Sequence, residues 1–261
     1  MDTILRRIPA GLFVFALILL PAASPAAATP AITKIGALIG SFGKPYTITL
    51  TGGAAAGTIV GVGCASNADN GGTAYALTTS DSGSNSYTTR GQQLDSGNHN
   101  AVSWVDTLVT GALISGNTIT FNPAVDGAWN CLVYNITGNA ASAPLDKVVK
   151  SNGTFNATYT SPTLTPSQQP EIAILIAGGT GTFSSYGNII GAAATGLDNV
   201  ANGAGRNIQS EWRELTATTA GTATMNYTAK ANNSGVFVTY KESAGGPTCA
   251  NRIALMGAGC R

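Results

Sequence analysis

The chain predicts an all-β sandwich, and three observations carry that prediction. Short runs of Val, Ile, Leu, Tyr, Phe and Thr alternate with polar residues along most of its 261 residues. Clusters of Gly, Asn, Asp, Ser and Pro separate these runs at close intervals, as turn chemistry requires. No segment keeps a helical period for three convincing turns. Together these features predict about 12–13 antiparallel strands in two packed layers.

The first segment is a targeting element. Arg6 and Arg7 precede an apolar run over 8–20, and a small-residue stretch ends in Ala26-Ala27-Ala28. This is the layout of a secretory signal peptide over 1–28, with cleavage expected between Ala28 and Thr29. The run is bracketed by Pro9 and Pro21 and is short for a bilayer span. No cysteine follows it to take a lipid. The mature chain is therefore expected outside the cytoplasm, secreted, periplasmic or at the cell surface, with no membrane span after cleavage.

Strands are expected at 32–39, 46–51, 58–65, 73–79, 86–90, 101–109, 118–122 and 128–137. A second series is expected at 154–160, 171–177, 208–218, 222–229 and 235–241. They fill one sandwich domain over 29–241, followed by a tail over 242–261. The Ala/Gly-rich segment 187–205 departs from the pattern and reads as a long loop or a short helix, hence a candidate functional loop.

Only 10% of the residues are charged, and the net charge is +1. Loss of Asp2, Arg6 and Arg7 with the leader brings it to zero. A nucleic-acid partner needs a basic stripe, and none is present. Lys147 and Lys150 form the densest basic cluster, too small for an anionic lipid surface. Solubility rests on hydroxyls and amides, which suits a surface that meets sugars or packs into assemblies. The regular apolar alternation argues against disorder.

Four cysteines in an exported chain read as two disulfides, and three pairings are possible. Cys64 shares a strand face with Val60 and Val62, and Cys131 shares one with Trp129 and Val133. If both faces point inward, Cys64 and Cys131 meet in the core. Cys249 and Cys260 would then close a small loop in the tail. There is no Cys-x-x-Cys pair and only one histidine, which argues against a cysteine metal site.

At an offset of 106 residues Ile119 matches Met225, Phe121 matches Tyr227, Leu132 matches Val238 and Tyr134 matches Tyr240. Two equivalent hairpins in a pseudo-symmetric sandwich would produce this echo. So would the general likeness of β-hairpins.

The stretch from about Thr58 to Glu242 resembles a jelly-roll-like module of secreted bacterial and phage-related proteins. An ordered series carries the resemblance: TIVGVGCAS, then SYTTRGQQLDSGNHNAVSWVDTLVTGAL, then GNTITFNPAVDGAWNCLVYNITG with APLDK. SPTLTPSQQPEIAILIAGG, WRELTATTAGTATMNYTAK and GVFVTYKE follow. The resemblance implies a β-sandwich of jelly-roll type without an established active site, and it supplies no functional residues. The cysteines and the tail are departures from it.

Catalytic constellations are sparse. A Ser-His-Asp triad would have to use His99, the sole histidine, with Asp95 or Asp106, and no Gly-x-Ser-x-Gly elbow is present. Glu211 and Glu214 have opposite strand parity, so they cannot act as a glycosidase pair on one face, whereas Asp106 and Glu211 could meet across strands. Asn67, Asp69, Asn70 and Asp81 offer oxygen ligands for Ca²⁺, but the EF-hand pattern is incomplete and Asx-turns explain the same residues. No other cofactor is expected. Five Asn-x-Ser/Thr sequons, starting at Asn135, Asn152, Asn156, Asn226 and Asn232, read as composition.

Aromatic residues supply the binding candidates. Trp212 shares its strand face with Ser210 and Glu214, so its ring could stand on a wet face as a sugar platform. Trp104 lies on a face with Val102, Leu108 and Asp106 and reads as core or as a second platform, while Trp129 reads as core. The expectation is a non-enzymatic sandwich that recognises a glycan or a protein surface through Trp212, Glu214, Ser210, Trp104 and Asp106. The alternatives are a structural component of a phage-like or cell-surface assembly, in which copies self-associate, and a carbohydrate-active hydrolase or lyase.

Overall fold

The computed structural model describes residues 29–41, 43–66, 76–95, 100–202 and 206–243. Among them are fifteen strands and no helix. The leader, His99, Asn67, Asp69, Cys249 and Cys260 lie outside the described residues.

The first half contributes β1 (Ala31–Ser41), β2 (Tyr46–Thr49), β3 (Ile59–Ser66), β4 (Leu77–Asp81), β5 (Thr88–Asp95), β6 (Asn100–Leu108), β7 (Thr118–Pro123) and β8 (Trp129–Thr137). They form a five-stranded sheet in the order β1-β8-β3-β6-β5 and a three-stranded sheet in the order β2-β7-β4. All of their pairings are antiparallel. Alternation fixes the faces. Ile48, Ile119 and Phe121 of the small sheet pack on Val60, Val62, Cys64, Val105, Cys131 and Val133 of the large one.

The second half contributes β9 (Leu145–Thr160), β10 (Glu171–Gly179), β11 (Phe183–Ile189), β12 (Ala192–Ala193), β13 (Thr195–Asn202), β14 (Arg206–Leu215) and β15 (Ala223–Lys241). The long ribbon β9–β15 belongs to two layers. Its Leu145–Gly153 and Asn233–Lys241 stretches sit beside β10, and β14 and β13 follow, whereas Thr158–Thr160 and Thr224–Asn226 sit beside β11. Register shifts between Asn226 and Asn233 mark the bend. The ribbon folds back so that Tyr159, Met225, Tyr227 and Phe183 pack on Ala173, Leu175, Ala177 and Phe237.

The second half repeats the first. Gly63 lies between Leu132 and Trp104, and Ile174 lies between Val238 and Trp212. Tyr134 pairs with Lys34 of the edge strand β1, and Tyr240 pairs with Leu145 of β9. β9 therefore stands for β1 and β2, β15 for β7 and β8, β10 for β3, β11 for β4, β13 for β5 and β14 for β6. The echo in the sequence is a duplicated strand arrangement, and Trp104 and Trp212 occupy the same place in its two copies.

The two copies pack face to face. β1 lies over β13, β8 over β14, β3 over β10, β6 over β15 and β5 over β9. Each pair exchanges roles under the repeat, so the halves are related by a pseudo-twofold axis. Val102, Trp104, Leu132 and Tyr134 meet Ile172, Ile174, Ile176, Val236 and Tyr240 in this layer. Glycines let the faces approach. A Cβ on Gly63 would fall 1.8 Å from Ile176 Cδ1, and one on Gly61 would fall 2.3 Å from the Trp104 ring.

Two expectations are corrected here. Segment 187–205 is neither a loop nor a helix: among its described residues β11 ends, the short β12 pairs back on it, and β13 runs along β14. β11 and β13 escape a periodicity reading because β11 is exposed between its buried ends, β13 is half-buried, and both carry few apolar residues. The Cys64–Cys131 disulfide is present, but it joins neighbouring strands β3 and β8 within one sheet, at directly opposed positions, and does not stitch two layers together. Its counterparts in the second half are the directly opposed Leu175 and Phe237, both core residues.

Candidate functional site

The aromatic platform does not form. Ser210 is fully buried and its hydroxyl meets the Tyr134 hydroxyl across the inter-half layer. Trp212 is half-buried against the same layer, so its ring is not an open stacking surface. Glu214, at the end of that face, is exposed. The face seemed wet in the sequence because Ser210 and Glu214 flank the tryptophan. The missing information was Tyr134, which satisfies the serine from the other half.

Trp104 is fully buried, and its indole donates to the Tyr240 hydroxyl at 2.6 Å. That hydroxyl donates in turn to Asp106 Oδ2. Arg90 Nε closes the network on Asp106 Oδ1 at 2.8 Å. Burial pushes the Asp106 carboxyl up, and Tyr240 and Arg90 oppose the shift. The network is a satisfied link between the halves and presents nothing to solvent chemistry. Glu211 points to the opposite side of β14, into the second sandwich, so Asp106 and Glu211 do not meet.

Asp81 holds its own loop. Its Oδ1 accepts from the amides of Gly83 and Asn85, and its Oδ2 accepts from Asn85 Nδ2 and the Tyr87 hydroxyl, all at 2.9–3.0 Å. Buried Asn85 then carries the loop at Thr110 and Gly111 through its amide oxygen. This is the Asx-turn reading for Asp81; Asn67, Asp69 and Asn70 lie outside the described residues. No cluster of three or more metal-binding His, Cys, Asp or Glu side chains occurs among the described residues.

The surfaces that the fold leaves open are the outer faces of the two small layers. In the first half Thr47, Thr120 and Ser80 stand opposite one another across β2, β7 and β4. Thr49 and Thr118 form the next row, and Thr78 and Asn122 another. All are exposed or half-exposed. The second half presents the equivalent row Thr158, Asn226 and Ser185 across β9, β15 and β11. There the Thr158 hydroxyl donates to Asn226 Oδ1 and Asn226 Nδ2 donates to the Ser185 hydroxyl, both at 3.1 Å. Thr224 sits beside Thr160 in the adjoining row. No charged side chain stands in these rows, and Lys44 lines a pocket with Thr78 and Asn122 at the margin of the first face. Strand alternation makes the rows: Thr47, Thr49, Thr120 and Thr160 each follow a buried Tyr or Ile, Thr118, Thr158 and Thr224 each precede a buried Ile, Tyr or Met, and all face away from the core. The sequence showed the hydroxyl-rich composition, but not its alignment across three strands, because pairing register is a long-range property.

A second feature lies inside the second sandwich. Gln209, Glu211 and Arg213 occupy one face of β14, where the equivalent face of β6 carries Ala101, Ser103 and Val105. Glu211 is fully buried. Its Oε2 accepts from the Gly187 amide at 2.7 Å, and its Oε1 has no protein partner. Burial pushes its carboxyl up to about 7, with the Gly187 N–H opposing. Arg213 Nη1 donates to the carbonyl oxygens of Ile189 and Ile190 at 2.7 and 3.0 Å. Arg213 also lines a cavity of about 170 Å³ with Ile190, Leu215, Thr216, Ala217 and Thr219.

The disulfide accords with an oxidising compartment, and among the described residues no helix is long and apolar enough to cross a membrane. No family model, curated protein or solved structure matches the chain.

Proposed function

We propose that this is an exported, non-enzymatic binding protein of the jelly-roll-like kind its sequence resembles, and that its outer hydroxyl and amide rows recognise a neutral glycan. The observation that carries the reading is the repetition of one row, Thr47–Thr120–Ser80 and Thr158–Asn226–Ser185, on the outer layers of both halves. A sugar presents hydroxyls that both donate and accept, and so do Ser, Thr and Asn side chains. An uncharged face suits an uncharged polymer, and its binding is insensitive to salt. The two faces lie on the far sides of the two halves, so one molecule can engage two chains and gain avidity from doing so.

The test is retention on a panel of insoluble and arrayed neutral polysaccharides, with and without Thr120→Glu and Asn226→Asp. Each variant sets a charge in the middle of one row. Retention by the unaltered protein, weakened by either variant and abolished by both together, supports the reading. Indifference to both variants would leave the rows as ordinary exposed strand positions and favour the alternative of a structural component that packs against its own copies. Concentration-dependent light scattering would show that association directly.

A further inference from the structure

We propose that the Arg213 cavity at the end of the second sandwich binds the carboxylate of an acidic sugar, a uronate residue, as a specificity pocket separate from the outer rows. The inference rests on the glycan-binding reading and adds the chemical class of one of its ligands.

The duplicated fold supplies its own control. Val105 occupies the position of Arg213 in the first half, fully packed in an apolar core. The strand arrangement therefore does not require an arginine there. Among the described residues the ion pairs are Lys34–Asp198 and Arg90–Asp106, and Arg213 takes part in neither. Among the described residues its partners are two carbonyl oxygens, both on Nη1. A guanidinium has five N–H donors in a fixed fork, so the Nε and Nη2 edges remain for a ligand.

The wall facing Arg213 is the tight turn between β11 and β12. Ile190 has φ 47° and the next residue, Gly191, has φ 75°. These two residues are the turn of the β11–β12 hairpin, which needs positive φ at both positions, and a β-branched residue is rare at the first of them. Arg213 anchors that turn from inside, through the Ile189 and Ile190 carbonyls. Apolar Ile190, Leu215 and Ala217 together with the hydroxyls of Thr216 and Thr219 complete a lining suited to one pyranose ring. A planar carboxylate matches the free edge of the arginine fork. Arg213 is the only charged residue of the lining, so an anionic sugar is favoured over a neutral one.

The experiment is a calorimetric or NMR titration of the exported protein with methyl glucuronide, methyl glucoside and acetate. Saturable binding of the glucuronide, at least about tenfold tighter than either the glucoside or acetate, is expected. Arg213→Gln and Arg213→Lys should each weaken it by about tenfold or more, the lysine because it lacks the planar fork. Ala217→Trp fills the cavity while leaving Arg213 and its turn in place. It should abolish glucuronide binding with an unchanged melting temperature, which keeps the test decisive if the Arg213 variants unfold. Equal binding of glucuronide and glucoside overturns the proposal, and so does acetate binding as tightly as the glucuronide. Unaltered binding in Ala217→Trp overturns it too. Thr120→Glu and Asn226→Asp separate the two readings: they should reduce retention on neutral polysaccharide and leave the glucuronide titration unchanged.

Discussion

Tyr240 accepts the indole N–H of Trp104 from the other half of the chain at 2.6 Å, and its hydroxyl donates to Asp106 Oδ2. One hydroxyl thus satisfies a buried donor and a buried acceptor on β6 at once. Tyr240→Phe should remove the partner of the Trp104 indole and of Asp106 Oδ2, leaving Asp106 to Arg90 alone, and destabilise the fold by about 1–3 kcal/mol. Chemical denaturation monitored by tryptophan fluorescence measures this. A loss below a few tenths of a kcal/mol would mean that water replaces the hydroxyl and that the layer is not dry.

Gly63 faces Ile176 with no room for a methyl group. Gly63→Ala should force the two halves apart or drive Ile176 off its rotamer, at about 1–3 kcal/mol. The same substitution paired with Ile176→Val should recover part of the loss. Melting temperatures of the two single variants and the double variant check the coupling, and simple additivity would place the strain elsewhere.

The architecture was partly legible in the sequence. The Cys64–Cys131 bond followed from two strand faces, because Val60, Val62, Trp129 and Val133 set the parity of each sulfur. The duplication was visible only where spacing between the halves is constant. It is 106 residues for the pair Ile119 and Met225, but Trp104 and Trp212 stand 108 apart, so the tryptophans do not align at the offset that reveals the hairpins. Strand β11 was missed because Ser184, Ser185 and Tyr186 are exposed between its buried ends, Phe183 and Ile189. The Gln209–Glu211–Arg213 stripe was missed for another reason. β14 is covered on both faces, and its polar residues stand where alternation alone cannot tell core from solvent.

The disulfide and its apolar counterparts make a further comparison possible within one molecule. The bond closes a loop with a sequence separation of 67, so chain entropy assigns it about 4 kcal/mol. Cys64→Ala with Cys131→Ala should lower the melting temperature substantially. Leu175→Ala should also destabilise, by about 2–5 kcal/mol, through the cavity it leaves against Phe237. Denaturation under reducing conditions should affect the parent protein and leave the Cys64→Ala, Cys131→Ala variant unmoved. An effect of reductant on that variant would point to the tail cysteines, Cys249 and Cys260.

Glu211 predicts a pH dependence with a definite sign. Its folded pKa of about 7 lies above the ordinary 4.5, so the folded state holds a proton that the unfolded state has already released. The contribution is fully present below about pH 4.5 and is lost as pH rises towards 7. Glu171 and Glu242, also pushed up to about 7 by burial, act in the same direction. Melting temperature should therefore fall between pH 5 and pH 8. Glu211→Gln should flatten the slope and raise stability at pH 8, by an amount on the order of a few kcal/mol. A melting temperature that rises across this interval would mean the carboxyl is ionised and solvated in the folded protein.

Polysaccharide retention at low and high salt tests the functional reading most directly. The parent protein should be held by a neutral polysaccharide equally well at both ionic strengths, and the Thr120→Glu, Asn226→Asp double variant should pass through unretained. Retention that vanishes with salt, or that persists in the double variant, would contradict recognition by the uncharged rows.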